Sequence, residues 1–329
     1  MKCLVTSARP YDREALDLAN GERHELTYVE ASLSLATAGM ARGFAAVCPF
    51  VDDCLDAETI GALAQGGTRL LALRSTGYNH VDLAAASRHG ITVMRVRDYS
   101  PHSVAEFAVG MMLTLNRRLH RAWARVRDGN FLLDGLLGFD MYGKTVGIVG
   151  TGRIGLALAR ILAGMGCRLL GYDSRPNPDG EALGMTYLPL EDLLRQSQIV
   201  SLHLPLSDST FHLMNAARLA LLPRGSMIIN TSRGGLVETS ALIAALKSGQ
   251  VGFAGLDVYE VETSLYFRDH GEEPIADDGF ERLLSFPNVL VTGHQAFFTR
   301  EALAVIAQTT ITNLSDFAAG RTNENILKP

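Results

Sequence analysis

The sequence predicts an α/β fold made of two doubly wound parallel sheets. Three observations carry that prediction. Short apolar runs alternate with amphipathic stretches from one end of the chain to the other. The apolar runs are rich in Val and Ile and lack clean alternation, as expected of strands buried on both faces. At 329 residues the chain exceeds what one ordinary core serves, so two units with a cleft between them are expected.

In chain order, a first series of strands is predicted at 3–8, 25–30, 45–50, 70–75 and 91–96, the last two reading LLALRS and ITVMRV. A helical segment over 104–127 follows, with Gly110 its one helix-breaking residue. Pro101 precedes it, and Ser100 or Ser103 can cap it. Its second half, NRRLHRAWARVR, is basic with Trp123 as its one aromatic. Such a charge run reads as a solvated or interface-forming helix face rather than a nucleic-acid surface. A second series of strands is predicted at 145–150, 168–173, 199–204, 226–231, 252–257 and 288–293, with a helix from Arg153 to Met165 after the first of them.

Composition narrows the class. Apolar residues make up 47 % and charged residues 20 %, which suits a packed globular chain and not a disordered one. A formal net charge of −5 gives no overall pull toward nucleic acid or an anionic membrane. The longest apolar stretch, Ala108 to Leu115, falls far short of the roughly 20 residues that span a bilayer. The N-terminal MKCLVTSARPYDREALD lacks the apolar core of a secretory signal. Cys3, Cys48, Cys54 and Cys167 form no Cys-x-x-Cys pair or zinc spacing and read as buried, reduced thiols. A cytoplasmic protein without a metal site, without nucleic-acid or membrane partners, is the expectation.

The glycine-rich turn Gly150-Thr151-Gly152-Arg153-Ile154-Gly155 lies between a predicted strand and a predicted helix. The first glycine permits the tight turn, the second lets backbone approach a pyrophosphate, and the third lets helix and strand pack closely. The helix N-terminus adds free N–H groups and partial positive charge. The next strand ends in Asp173, 18 residues after Gly155, where a carboxylate can accept hydrogen bonds from ribose hydroxyls. It would repel a 2′-phosphate, so NAD is expected over NADP, with nearby Arg175 the one feature pointing the other way.

Three ionisable residues stand beside predicted strand ends in the second series: Arg233, Glu262 and His294. In a doubly wound sheet those ends line the ligand crevice. The residue types suit reduction of a 2-oxo acid. Arg grips a carboxylate bidentately. A protonated His supplies the proton as negative charge builds on the carbonyl oxygen. A carboxylate beside that His favours the imidazolium and orients it. Taken singly, the same residues read equally as a surface Arg, a solvated Glu and a capping His.

At these residues the chain resembles the D-isomer-specific 2-hydroxyacid dehydrogenases, and within them the fermentative NAD-dependent D-lactate branch of proteobacteria. The likeness spans ALRSTGYNHVDL (72–83), YSPHSVAEFAVGMMLTLNRRLHRA (99–122), GKTVGIVGTGRIG (143–155), VSLHLPL (200–206), INTSRGGLVET (229–239), GLDVYEVE (255–262) and TGHQAF (292–297). The resemblance implies Arg233 for substrate binding and carbonyl polarisation, Glu262 for tuning the His, and His294 as acid/base. It implies Thr76 and Gly77 backbone at the substrate carboxylate, with Tyr99 and Phe297 walling the pocket. For NAD it implies Gly150, Gly152, Arg153, Ile154 and Gly155 at the pyrophosphate and Asp173 at the ribose. Leu204, Pro205 and Thr210 would surround the adenosine half, Thr231 and Ser232 the nicotinamide half, and Asp257 would meet the carboxamide.

The same resemblance implies a substrate domain of residues 1–99 plus 299–329 around an NAD-binding Rossmann domain of 100–298, assembled as a homo-oligomer, dimer or tetramer. Pyruvate and D-lactate are the implied substrate pair, and segment 259–288 favours them. Glyoxylate or hydroxypyruvate reduction and a corepressor-like NAD-binding role are the alternatives. Two departures from the family pattern stand out: Val96-Arg97-Asp98 before Tyr99, and Phe107 where relatives carry His.

Overall fold

The computed structural model describes residues 1–262, 265–267 and 269–329. The chain divides into two compact units, one formed by Met1–Ser100 with Phe298–Pro329 and the other by Pro101–Phe297.

In the smaller unit, strands β1 (Lys2–Val5), β2 (Glu25–Tyr28), β3 (Ala46–Cys48), β4 (Leu70–Ala72) and β5 (Thr92–Met94) form one sheet. Its order is β2-β1-β3-β4-β5, every pair parallel, the flavodoxin-like winding. Strand alternation sends successive residues to opposite faces. Leu4, Val47, Leu71 and Val93 pack with Ile60 and Leu63 of helix Ala57–Gln65. Cys3, Val5, Leu70 and Met94 pack with Ala307, Ile311 and Leu314 of helix Arg300–Ala318, which is why the C-terminal segment belongs to this unit. Buried Arg74 ties the carboxyl ends of β1, β3 and β4 together. It pairs with Asp12 at 3.2 Å and donates to the carbonyls of Thr6, Ser7 and Cys48.

The larger unit holds β6 (Thr145–Val149), β7 (Arg168–Tyr172), β8 (Thr186–Tyr187), β9 (Ile199–Leu202), β10 (Ser226–Asn230), β11 (Val251–Leu256) and β12 (Val289–Val291). The order is β12-β11-β10-β9-β6-β7-β8, again all parallel. Strand order reverses between β6 and β9, and a dinucleotide is held in the crevice at such a reversal. Separate apolar clusters cover the two faces. Val149, Val200 and Ile228 lie in one, and Val146, Ile148, Ile199 and Ile229 in the other.

Three sequence expectations need correction. The two-residue edge strand β8 was not expected, because Thr186–Tyr187 is too short to carry a period. The single helix expected over 104–127 is two, Pro101–Asn116 and Leu119–Arg127, broken at Arg118 with φ 51°. Asn116 explains the break: its amide donates to the Phe139 carbonyl at 2.6 Å and accepts the Phe139 N–H at 2.7 Å. The first helix buries Val104, Ala108, Met112 and Leu115, whereas the second buries nothing. Cys54 is exposed, unlike Cys3 and Cys48. Phe107 is half-buried against the helix-covered core, an apolar role that a His in its place would not fill as well. Among the described residues, no group of three or more His, Cys, Asp or Glu could hold a metal ion, and no helix is long and apolar enough to cross a membrane.

Candidate active site

The glycine turn leaves β6 at Gly150, whose φ of 98° lies in the left-handed region and whose Cβ position would press on the His203 carbonyl at 2.7 Å. Gly155 is buried, and a Cβ there would overlap the Gly150 carbonyl. Helix Arg153–Gly164 therefore seats flush on the turn. Gly152, its N-cap, has no side-chain capping bond and open space beside its Cα. The N-terminus of this 12-residue helix thus opens beside exposed Gly152 and Arg153, with half-buried Ile154 next in the chain. That arrangement fits a pyrophosphate.

Asp173 follows β7 and accepts the Thr151 N–H at 2.7 Å on Oδ2, while Ser174 Oγ and the Arg175 N–H donate to Oδ1 at 3.3 and 3.4 Å. Arg175 thus reaches the carboxylate through its backbone. Beyond β9, Thr210 Oγ1 donates to the Pro205 carbonyl at 2.7 Å and closes the turn that begins at Leu204. Ser232 Oγ donates to the Leu204 carbonyl at 2.6 Å and joins the ends of β9 and β10. Thr231 is 8 % exposed, and its hydroxyl is buried with no partner in the chain. A buried orphan hydroxyl after β10 and an uncapped helix N-terminus after β6 are polar groups that a dinucleotide would satisfy, so the residues present fit NAD. His203, which sequence reasoning passed over, lies 2.8 Å from Ser201 Oγ, and burial pulls its pKa down to about 4.

Neighbouring strands β10, β11 and β12 deliver the ionisable residues. Arg233 follows β10; its Nη1 donates to the Ser232 carbonyl at 2.7 Å, and its own carbonyl accepts Asn230 Nδ2 at 2.9 Å. Glu262 lies six residues beyond β11. One of its carboxylate oxygens accepts the Tyr259 N–H at 3.2 Å, and the other lies 3.2 Å from His294 Nδ1. Both members of this pair are largely sheltered, at 20 % and 25 % exposed. His294 has φ 55°, an uncommon backbone for a non-glycine residue and one that clusters at functional sites.

Asp257 holds that turn in place. Oδ1 accepts Thr292 Oγ1 at 2.5 Å and the Gln295 N–H at 2.9 Å, and Oδ2 accepts the Ala296 N–H at 2.8 Å. Burial pushes the Asp257 carboxyl above the ordinary carboxylate range, against the opposing pull of these three donors and of His294. The carboxylate is thus committed first to its own chain, with capacity at Oδ2 for one further donor. The Phe267 ring, also missed in the sequence, sits 5.8 Å from the His294 imidazole, and Phe297 is half-buried two residues past Gln295.

Thr76, Gly77 and Tyr99 belong to the smaller unit. Thr76 and Gly77 follow β4, where Ser75 Oγ donates to the Gly77 carbonyl at 2.8 Å and Arg95 Nη1 to the Thr76 carbonyl at 3.1 Å. The Thr76 hydroxyl is a second buried orphan, and Tyr99 is half-buried after β5. Arg97 pairs with Glu324 of the C-terminal tail at 2.6 Å. Thr263, Ser264 and Arg268, inside the segment that resembles the lactate enzymes, lie outside the described residues.

The strand-order reversal, the glycine turn and the His–Glu pair beyond the strand ends have counterparts among known proteins. The NAD binding domain model of the D-isomer specific 2-hydroxyacid dehydrogenases matches residues 109–296. The chain is 47 % identical to the D-lactate dehydrogenase of Escherichia coli, over 99 % of this chain and 100 % of that one. It is 48 % identical to 2-hydroxyacid dehydrogenase homolog 1 of Schizosaccharomyces pombe, over 99 % of both. Among solved structures, the pyruvate reductase of Chlamydomonas reinhardtii superposes with a TM-score of 0.94 at 45 % identity, covering 99 % of this chain and 98 % of that one. The chain belongs to the D-isomer specific 2-hydroxyacid dehydrogenase family and is an oxidoreductase whose cofactor is NAD.

Proposed function

We propose that this enzyme is a D-lactate dehydrogenase that reduces pyruvate to D-lactate. The observation that carries the reading is the 3.2 Å His294–Glu262 pair, set beyond β12 and β11, the latter adjacent to the β10 strand that delivers Arg233. In this reading Arg233 pairs with the substrate carboxylate and polarises the neighbouring carbonyl. NADH, when bound, supplies the hydride. His294 gives its proton to the carbonyl oxygen as charge develops there, and Glu262 favours the imidazolium and fixes the ring. Backbone at Thr76 and Gly77 shares the carboxylate, while Tyr99 and Phe297 enclose the methyl group.

The remaining cofactor residues take their roles by position. Gly150, Gly152, Arg153, Ile154 and Gly155 hold the pyrophosphate, and Asp173 the ribose. Leu204, Pro205 and Thr210 surround the adenosine half, Thr231 and Ser232 the nicotinamide half, and Asp257 the carboxamide through its remaining lone pair. Residues 1–99 with 299–329 serve the substrate and 100–298 the cofactor.

The enzyme acts as a cytoplasmic homo-oligomer. Trp123 of helix Leu119–Arg127 and Phe131, Leu132, Leu133 and Leu137 after it are each more than 60 % exposed, an apolar surface that a second copy would cover. NADH oxidation by the purified protein with pyruvate, glyoxylate, hydroxypyruvate and oxaloacetate tests the substrate. Pyruvate should give the highest kcat/KM and D-lactate the product. A preference for glyoxylate or hydroxypyruvate would replace the lactate reading with theirs.

A further inference from the structure

A second His–carboxylate pair lies outside the proposed chemistry. His212 Nε2 and Glu260 Oε1 are 2.5 Å apart, at 29 % and 23 % exposed. His212 has φ 49°, and its ring stacks on Phe211 with centroids 3.9 Å apart. The other Glu260 oxygen accepts the Thr239 N–H at 3.1 Å, capping helix Thr239–Ser248, whose own N-cap residue Glu238 makes no side-chain cap. The two bonds from His212 and Thr239 hold the Glu260 carboxyl below its usual range even though burial pushes it up.

The pair sits where two functional segments meet. The His212 N–H donates to the Gly235 carbonyl at 2.8 Å, and the Met214 N–H to the Leu236 carbonyl at 2.9 Å, so the 212–214 strip runs beside the turn that carries Arg233. Gly234 lies face-on against the Tyr259–Glu260 peptide, where a Cβ would overlap the Tyr259 carbonyl. The Tyr259 N–H in turn holds the Glu262 carboxylate. A shift of the Tyr259–Glu260 backbone therefore moves both the Arg233 turn and the Glu262 anchor. Misplacement of reacting groups by about an ångström can lower rate a hundredfold.

We propose that His212 and Glu260 are positioning residues that clamp the Arg233 turn to the segment bearing Glu262. The proposal rests on the roles given above to Arg233 and Glu262. Its test uses the full-length enzyme with NADH and pyruvate. Glu260→Ala and His212→Ala should each lower kcat at least tenfold and change the KM for NADH less than threefold. Both should move the fall of rate with rising pH toward lower pH, in the direction of Glu262→Gln. Glu260→Gln keeps an oxygen for Thr239 and an amide for a neutral His212, and should recover kcat to within threefold of the unmodified enzyme.

Variants that bind NADH and lose thermal stability, yet keep kcat and the pH profile, would reduce the pair to a structural brace and overturn the proposal. Should Glu260→Ala not fold, His212→Gln decides: folded, with unchanged kcat and pH profile, it overturns the clamp. Glu262→Gln, measured in parallel, separates the two readings. A profile unmoved in Glu262→Gln rejects the role given to Glu262, whereas one moved there but not in Glu260→Ala rejects the clamp alone.

Discussion

The His294 N–H donates to the Asp257 carbonyl at 2.8 Å, and the Asp257 side chain secures the residues on either side of that histidine. A left-handed backbone at a non-glycine residue persists only where surrounding bonds over-determine it. Asp257 supplies them, although burial raises its pKa and its charge weighs against the fold. The sign follows from that direction: a carboxyl raised in the folded state lowers stability as pH climbs through its folded pKa. Asp257→Asn relieves that burden and places an amide N–H against a donor. The expected outcome is a kcat loss above tenfold with a melting temperature changed by only a few degrees. A large stability loss with kcat retained would show that the aspartate serves the fold and not the histidine.

Arg233→Gln should remove carboxylate pairing while leaving the glycine turn and the NADH site intact. The expected loss in kcat/KM for pyruvate exceeds roughly tenfold, or 1.4 kcal/mol, because a charged substrate group is left unmatched. NADH affinity by fluorescence titration should stay within about twofold of the unmodified enzyme, on the usual reading of such splits. A smaller loss of kcat/KM removes Arg233 from substrate binding.

With His294 as the proposed proton donor, the rate of pyruvate reduction should fall as pH rises. Glu262 lies 3.2 Å from Nδ1, and in the proposed reading its negative charge is the partner of the proton that the ring gives up. Glu262→Gln should therefore shift the fall to lower pH. The pH dependence of kcat/KM for both proteins is the measurement, and coincident profiles would take Glu262 out of the proton chemistry.

The parallel sheets were legible because both-face burial writes itself as unbroken apolar runs, and the Gly150–Gly155 turn because its geometry admits few other residues. Arg233, Glu262 and His294 were legible as residue types at strand ends, where a parallel fold gathers its ligands. Tertiary pairings left no such trace. Nothing in the sequence around Asn116 says that its amide will fasten Phe139 and end a helix there. His212 and Glu260 lie 48 residues apart, and only the fold brings them together. Phe267 lies in a turn and carries no periodic signal, yet its ring approaches His294.

Asp173 should enforce NADH over NADPH. Its carboxylate is held by the Thr151 N–H at 2.7 Å at the end of β7, where a 2′-phosphate would face it. Arg175 meets that carboxylate through its backbone. Asp173→Ala should narrow the gap in kcat/KM between the cofactors, mainly by improving NADPH. Equal use of both cofactors by the unmodified enzyme would contradict the assignment and make Arg175 the phosphate partner.

Pyruvate should be preferred over oxaloacetate, and Arg97 decides how that is tested. This residue stands two before Tyr99, where a cation turned toward the substrate could accept a second carboxylate. In the structure its Nη1 lies 2.6 Å from Glu324 Oε2, with the two side chains 43 % and 79 % exposed. So exposed a pair adds little stability, but it gives the guanidinium a partner in the tail. Burying a second substrate carboxylate among apolar groups without a matching cation loses hydration that nothing replaces. Arg97→Ala should therefore leave the pyruvate-to-oxaloacetate ratio of kcat/KM within about threefold, less than the 1.4 kcal/mol that separates tenfold rates. Glu324→Ala frees the guanidinium and is the sharper probe: the ratio should hold there too if Arg97 stays in solvent. If oxaloacetate is preferred by the unmodified enzyme and that preference vanishes in Arg97→Ala, Arg97 is the specificity determinant and the lactate reading fails.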